Sequence, residues 1–175
     1  MKTITAFMLG LFTLASGASL AAAPRLHTIR TVTIDAPASK VWDAVKNFDG
    51  LNTWHPAVAK DEIVAGANNK PGAVRLLTLK DGGTIKEKLL AFDSKGRSFH
   101  YSILEGVLPV SDYSSTLVVK SKGKGRSTVS WSGSFKRKNT GAHPADNEND
   151  KTALDTVNGV YQSGLDNLKK MLEAK

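Results

Sequence analysis

Residues 31–56, TVTIDAPASKVWDAVKNFDGLNTWHP, constrain the fold of this chain more than any other stretch. Val32 and Ile34 alternate with polar residues as in a half-buried strand, and Ala36-Pro37 ends that strand and starts a helix. The apolar face of this helix comprises Val41, Trp42, Val45 and Phe48. Residues 50–56 do not have the pattern of a strand, so the helix is not a crossover between parallel strands. An antiparallel sheet is therefore expected.

The first 22 residues have the pattern of a cleaved signal peptide. Lys2 is followed by an apolar run at residues 4–14, which is too short to span a membrane, and then by Ala21-Ala22-Ala23. We expect residues 1–22 to be removed and residues 23–175 to form a single domain. The mature protein is expected to be periplasmic or secreted, with no integral membrane segment.

The chain contains no cysteine, which excludes disulfides, thiolate metal ligands and thiol nucleophiles. Its formal net charge is +8, with the basic residues scattered along the sequence. Scattered charge is weak support for nucleic-acid binding, and no nucleic-acid partner is expected. Two interpretations of the charge stay open: solubility, or attraction to an acidic protein or anionic surface through the lysine-rich residues 120–126.

Turn residues divide the chain after Pro56 into short runs that are typical of an antiparallel meander. We expect strands at residues 61–65, 72–80, 84–93, 97–105, 112–120 and 126–137. A polar loop should follow, and then a long amphipathic helix over residues 152–173, with Thr152 and Asp155 as its capping box. A helix of this length needs a large partner surface, which only the sheet offers. The expected fold is α+β, with the sheet around the C-terminal helix and two short helices after the first strand.

Alternate residues of the expected strands share one inner face, because side chains repeat every second residue along a strand. Most of its members are apolar: Leu77, Leu79, Ile85, Leu89, Ile103, Leu117, Val119, Val129, Trp131 and Phe135. Its polar members are Glu87, Ser115, Tyr101 and Tyr113, joined by His55 from the segment after the first helix. Such a surface is typical of a small-molecule pocket, and equally of a core with a few satisfied polar groups.

Glu87 is the most informative polar residue, because a buried carboxylate without a partner is costly. Three roles stay open. It orients a ligand, with Arg75 or His55 opposite; it acts with His55 as the acid–base pair of a cyclase- or hydrolase-type enzyme; or it lies at a wet rim beside a surface lysine. No metal site is expected, because the four histidines show no helical pairing, and no cofactor-binding motif is present.

Two loops are candidate lids over such a pocket. Residues 80–83 join two inner strands, and residues 105–110 carry Leu108 in an apolar tip between the strands of Tyr101 and Tyr113. Exposed apolar tips beside a pocket serve as lids or partner contacts, although a simple plug over the end of the sheet fits equally well.

Several segments in order, IDAPASKVWDAVKNFDGLNTWHPAV, GAVRLLTL, KEKLLAFD and TVSWSGSF, resemble the START/Bet v 1-like superfamily, also called SRPBCC or polyketide-cyclase-like. The resemblance covers nearly the whole mature chain. It implies a helix-grip fold, in which a seven-stranded antiparallel sheet wraps a long C-terminal helix and leaves a cavity between them. The gate motif of the plant hormone receptors in this superfamily is absent at Asp81-Gly82-Gly83, so their hormone switch is not carried over.

The inner face and the ligand positions of these relatives together give the predicted ligand-binding set. It comprises Trp54, His55, Arg75, Leu77, Leu79, Glu87, Leu89, Tyr101, Ile103, Leu108, Tyr113, Ser115, Trp131, Val157 and Tyr161. The expected occupant is a small apolar molecule. Neither a cofactor nor a metal is expected.

With its export signal the chain resembles the periplasmic MxaD-like subgroup, which is associated with methanol oxidation. This resemblance implies an accessory role beside an acidic periplasmic dehydrogenase or cytochrome, for which a basic surface is suited. Two alternatives stay open: the enzyme that uses Glu87 and His55, and a protein that binds anionic membranes through its lysine-rich hairpin.

Overall fold

Seven strands form one antiparallel sheet in the computed structural model, which describes residues 23–174. They are β1 (Leu26–Ile34), β2 (Val58–Ala65), β3 (Val74–Leu79), β4 (Thr84–Asp93), β5 (Ser98–Gly106), β6 (Val110–Gly123) and β7 (Arg126–Arg137). Their order in the sheet is β1-β7-β6-β5-β4-β3-β2. Each strand from β2 to β7 is therefore the neighbour of the next one along the chain, and β1 pairs with β7. The predicted signal peptide lies outside the described residues.

Residues 23–174 also contain four helical segments: α1 (Ala38–Val45), a 3₁₀ turn (Leu51–Thr53), a second 3₁₀ turn (Asp146–Glu148) and α2 (Asp150–Glu173). The expected α+β class, with the sheet wrapped around the long C-terminal helix, is confirmed. No helix within residues 23–174 is long and apolar enough to cross a membrane.

The start of α2 differs from the sequence prediction. The helix begins at Asp150, and its N-cap is Asn149, whose side chain accepts a hydrogen bond of 2.9 Å from the Thr152 amide. Thr152 instead donates its hydroxyl to the Asp146 carbonyl. The predicted capping box at Thr152 is wrong, because an asparagine three residues earlier already accepts from the first turn of the helix.

The inner face of the sheet encloses one side of α2. Ala153, Val157, Tyr161, Leu165 and Leu168 recur at three- and four-residue intervals, and each is buried. Leu154 and Leu172 lie at the margins of this stripe and are only half-buried. Burial of this stripe against the sheet supplies the hydrophobic contact that holds the long helix in place.

Helix α1 and the turn after it close one end of the sheet. The four residues of the predicted apolar face are all buried, but α1 ends at Val45, so Phe48 follows the helix and does not belong to it. Trp54 and His55 are buried as well, whereas the next residue, Pro56, is exposed. Strands β2 and β6 are longer than predicted, because pairing in the sheet continues through polar residues at their ends.

Two glycines of α2 provide a matched test of the contact between the helix and the end closure. A Cβ atom on Gly164 would lie 2.6 Å from Cδ2 of His55, whereas one on Gly159 would meet no atom within 4 Å. We expect Gly164→Ala to lower the free energy of unfolding by about 1–3 kcal/mol through overpacking. Gly159→Ala should raise it by up to about 1 kcal/mol through helix propensity. Urea denaturation checks both, and equal changes of the same sign would contradict this packing.

Candidate functional site

A small cavity of about 70 Å³ lies between the inner face of the sheet, the end closure and α2. Its walls are formed by Leu51, His55, Ala57, Val58, Leu77, Leu79, Ile85, Glu87, Tyr101, Leu108, Tyr113, Trp131 and Val160. This volume accommodates about two water molecules at roughly 30 Å³ each. It lies below the range of about 300–1,000 Å³ that is typical of ligand pockets.

A surface groove of about 370 Å³ adjoins this cavity beside the loop that connects β5 to β6. Leu108 and Tyr113 line both spaces, so the cavity and the groove meet at these two side chains. If these two side chains move aside, the cavity and the groove become one pocket whose size suits a small molecule. The separation of the two spaces therefore depends on the position of the β5–β6 loop.

The β5–β6 loop is held in place mainly by backbone hydrogen bonds. The Val107 amide donates to the Thr84 carbonyl at 3.1 Å, and the Lys138 amide donates to the Pro109 carbonyl at 3.0 Å. Val107 also packs on Gly83 of the β3–β4 turn but leaves 55% of its surface exposed. The two predicted lid loops thus contact each other over the end of the sheet.

A buried ion pair joins Arg75 of β3 to Glu87 of β4, residues that face each other in the register of these strands. Nε and Nη2 of Arg75 lie 2.7 and 2.6 Å from the same carboxylate oxygen, Oε2. The guanidinium also stacks on the Phe48 ring, 4.2 Å from its centroid, and donates to the Phe48 carbonyl. Glu87 therefore pairs with a buried arginine, not with a surface lysine at a wet rim.

Asp61 of β2 is the third buried ionisable group of this cluster. Its Oδ2 lies 3.3 Å from Nη1 of Arg75 and accepts a hydrogen bond of 2.9 Å from the Leu51 amide. Its Oδ1 is buried and has no hydrogen-bond partner within the described part of the chain. Burial raises the pKa of Asp61 to about 6, although the charge of Arg75 opposes this shift.

Burial also raises the pKa of Glu87, against the attraction of Arg75. For Arg75 burial acts in the opposite direction, but the two carboxylates outweigh it and raise the pKa of the guanidinium. Arg75 therefore stays charged, and a buried charge of this kind needs a balancing carboxylate. Glu87 is the nearest one, so we assign it the negative charge.

The aromatic hydroxyls form a second buried network. Tyr161 is hydrogen-bonded to Tyr113 and, at 2.8 Å, to Ser115, which donates to the Ser132 carbonyl at 2.7 Å. Trp131 donates its indole N–H to the hydroxyl of Tyr101 at 3.0 Å. Burial raises the pKa of Tyr101 to about 12, so its phenol is neutral at physiological pH. These groups are satisfied within the protein, as in a core with internal polar contacts.

Both ring nitrogens of His55 are occupied by backbone groups. Nε2 lies 3.0 Å from the Val160 carbonyl, to which it donates, and Nδ1 accepts from the Ala57 amide at 3.2 Å. Burial lowers the pKa of His55, so the ring is neutral. Within the described residues His55 and Glu87 line the same cavity without a hydrogen bond between them. An acid–base role for this pair would require a substrate that bridges them.

Eight residues of the predicted ligand-binding set line the cavity: His55, Leu77, Leu79, Glu87, Tyr101, Leu108, Tyr113 and Trp131. Ile103 lines the outer groove instead. The remaining six, Trp54, Arg75, Leu89, Ser115, Val157 and Tyr161, are buried away from the cavity surface. Their contact with a ligand stays a prediction that requires the pocket to enlarge.

Five residues that line the cavity are absent from the predicted ligand-binding set: Leu51, Ala57, Val58, Ile85 and Val160. Strand parity with Glu87 places Ile85 on the predicted inner face, although the set does not include it. Val160 flanks the apolar stripe of α2 and contributes through its position next to Tyr161. The other three belong to the irregular segment around His55, where no periodic pattern applies.

These features define a helix-grip protein with a buried polar cluster beside an apolar cavity. Residues 25–173 match the family described as polyketide cyclase / dehydrase and lipid transport, and the chain belongs to this family. MLP-like protein 423 of Arabidopsis thaliana is 32% identical over 116 residues, which cover 61% of this chain and 73% of that protein.

Solved structures support the same assignment. The structure described as the protein XoxI from Bacillus cereus has 30% sequence identity and a TM-score of 0.73, and the match covers 85% of this chain and 96% of that one. The Zhui aromatase/cyclase from Streptomyces sp. R1128 has 19% identity and a TM-score of 0.67, with 86% and 94% covered. At that identity the second likeness shows the fold alone.

The raised pKa of Asp61 predicts an unusual pH dependence of stability. Between about pH 4 and pH 6 the folded chain keeps a proton on Asp61 that the unfolded chain has released, so this group's contribution to the free energy of unfolding falls as pH rises. Asparagine does not titrate, so the free energy of unfolding of Asp61→Asn should rise relative to that of the wild type as pH increases. The total change across this range should be about 2–3 kcal/mol. Denaturant titrations at several pH values check the difference, and a constant difference would contradict the assignment.

Proposed function

We propose that this protein binds a small apolar ligand between its sheet and its C-terminal helix. The observation that carries this proposal is the apolar cavity, which shares Leu108 and Tyr113 with a neighbouring surface groove. A core without a binding function would gain stability by filling such a space, because empty apolar volume costs free energy. Membership of a family whose description includes lipid transport supports the same conclusion.

Binding would proceed by movement of the β5–β6 loop. The loop carries Leu108 into the cavity wall and presents Val107 to solvent, while few side chains anchor it. Segments with few buried contacts open at low free-energy cost. Displacement of Leu108 would join the groove to the cavity and admit the ligand beside Glu87 and Tyr101.

We further propose that the protein is exported and acts as an accessory factor of a periplasmic redox system, such as methanol oxidation. The signal-peptide pattern and the resemblance to the MxaD-like subgroup support this role. The β6–β7 hairpin adds a physical argument, because Lys120, Lys122, Lys124 and Arg126 are exposed at its tip. Within the described residues none of these four forms an ion pair. Unpaired basic groups are available to an acidic dehydrogenase or cytochrome.

Ligand binding is tested by native mass spectrometry of protein purified from its own host. We expect an additional mass from a small apolar molecule that persists in the folded state and is lost on denaturation. Leu79→Trp, which would fill the cavity, should reduce the bound fraction severalfold. Val64→Trp, on an exposed position of β2, is the matched control and should leave it unchanged. Folded wild-type protein without any bound molecule would count against the proposal.

Partner binding is tested by affinity capture from a periplasmic extract. The wild-type protein should recover an acidic dehydrogenase or cytochrome, and capture should decline as salt is raised. Lys122→Glu with Lys124→Glu should reduce recovery at least about tenfold. Lys70→Glu with Lys80→Glu removes the same charge from other exposed sites and is the control. Equal recovery by the two double variants would contradict a role for the hairpin.

A further inference from the structure

We infer that the ligand of this cavity carries a neutral hydrogen-bond donor, as an apolar alcohol or phenol does, and that carboxylate ligands are excluded. This inference rests on the proposed ligand-binding function. Its basis is the orientation of the buried ion pair. Glu87 lines the cavity, whereas its partner Arg75 does not.

The guanidinium of Arg75 directs all its nitrogens away from the cavity. Nε and Nη2 approach Oε2 of Glu87, and Nη1 approaches the Phe48 carbonyl and Asp61. The positive charge is thus surrounded by the protein's own acceptors. A ligand in the cavity can reach this charge only through the carboxylate of Glu87.

The carboxylate of Glu87 has one oxygen to offer. Both contacts with Arg75 use Oε2, and within residues 23–174 no donor is hydrogen-bonded to Oε1. Oε1 has no partner among these residues and yet is not fully buried, as expected for an oxygen that borders the cavity. A buried carboxylate oxygen gains stability from a donor, so this position selects an O–H or N–H group.

Among the described residues, the rest of the wall carries no positive charge that would compensate a negative ligand. Within the described part of the chain neither lysine nor arginine lines the cavity. The Nε2–H of His55 is used by the Val160 carbonyl. A ligand carboxylate would lose its hydration and meet Glu87 as a like charge, whereas an alcohol would donate to Oε1 and leave the charge of the cluster unchanged.

An isothermal titration series with three matched probes at neutral pH tests this inference: naphthalene, 2-naphthol and 2-naphthoate. These probes share one apolar ring system and differ in the group that would meet Glu87. We expect 2-naphthol to bind about tenfold more tightly than naphthalene, the fold-change that one hydrogen bond to a charged group supplies. Binding of 2-naphthoate should be at least about tenfold weaker than that of naphthalene.

Glu87→Gln supplies the reciprocal test. Arg75 would donate to the amide oxygen, so the amide N–H would face the cavity. The ratio by which naphthalene binds more tightly than 2-naphthoate should therefore decrease severalfold. Glu62→Gln, an exposed partner of Lys60 on β2, is the matched control and should keep the wild-type order of affinities. If Glu87→Gln does not fold, the order measured on the wild type still decides the inference.

The outcomes separate the inference from the proposed function. Wild-type binding of 2-naphthoate as tight as that of 2-naphthol, or no advantage of 2-naphthol over naphthalene, would overturn the inference while leaving ligand binding in place. Failure of all three probes to bind the folded wild-type protein would count against the apolar cavity as a binding site, and hence against both.

Discussion

The guanidinium of Arg75 is the group on which the arrangement of the site depends. It reaches Glu87 on β4 and Asp61 on β2 and stacks on Phe48 in the segment after α1, so one side chain connects the sheet to the end closure. Isolating a charge in an apolar interior is costly, and this cost fixes the positions of its partners. Because Asp61 also accepts from the Leu51 amide, the same cluster positions the segment that carries His55.

Two glycines allow α2 to pack closely against the sheet and the end closure. Gly164 gives His55 room beside α2, and Gly133 leaves space under the sheet for the hydroxyl of Tyr161. These contacts bring the helix close to β7 and leave the remaining space near Glu87, under the β5–β6 loop. Close packing elsewhere makes this loop, with its few side-chain anchors, the part of the boundary that can move.

Much of the fold follows from residue patterns. Period-two alternation places Leu77, Glu87 and Tyr101 on one inner face, and the helical stripe around Tyr161 predicts the gripped helix. The pairing of Arg75 with Glu87 depends on strand register, which one sequence does not reveal. The cap at Asn149 and the backbone partners of His55 lie in irregular segments without periodicity. Cavity volume depends on how side chains from distant segments pack, so the pattern predicts a pocket but not its closed state.

The central claim is that buried Arg75 couples the cavity to the end closure through Glu87. Nuclear magnetic resonance of the Arg75 side-chain Nε–H group tests it most directly, since this group donates to Glu87 Oε2. We predict a resolved signal that exchanges slowly with solvent and shifts when 2-naphthol is added, while the amides of Ser132 and Thr116 change little. Rapid exchange of the Nε–H, or a shift no larger than that of those two amides, would contradict the claim.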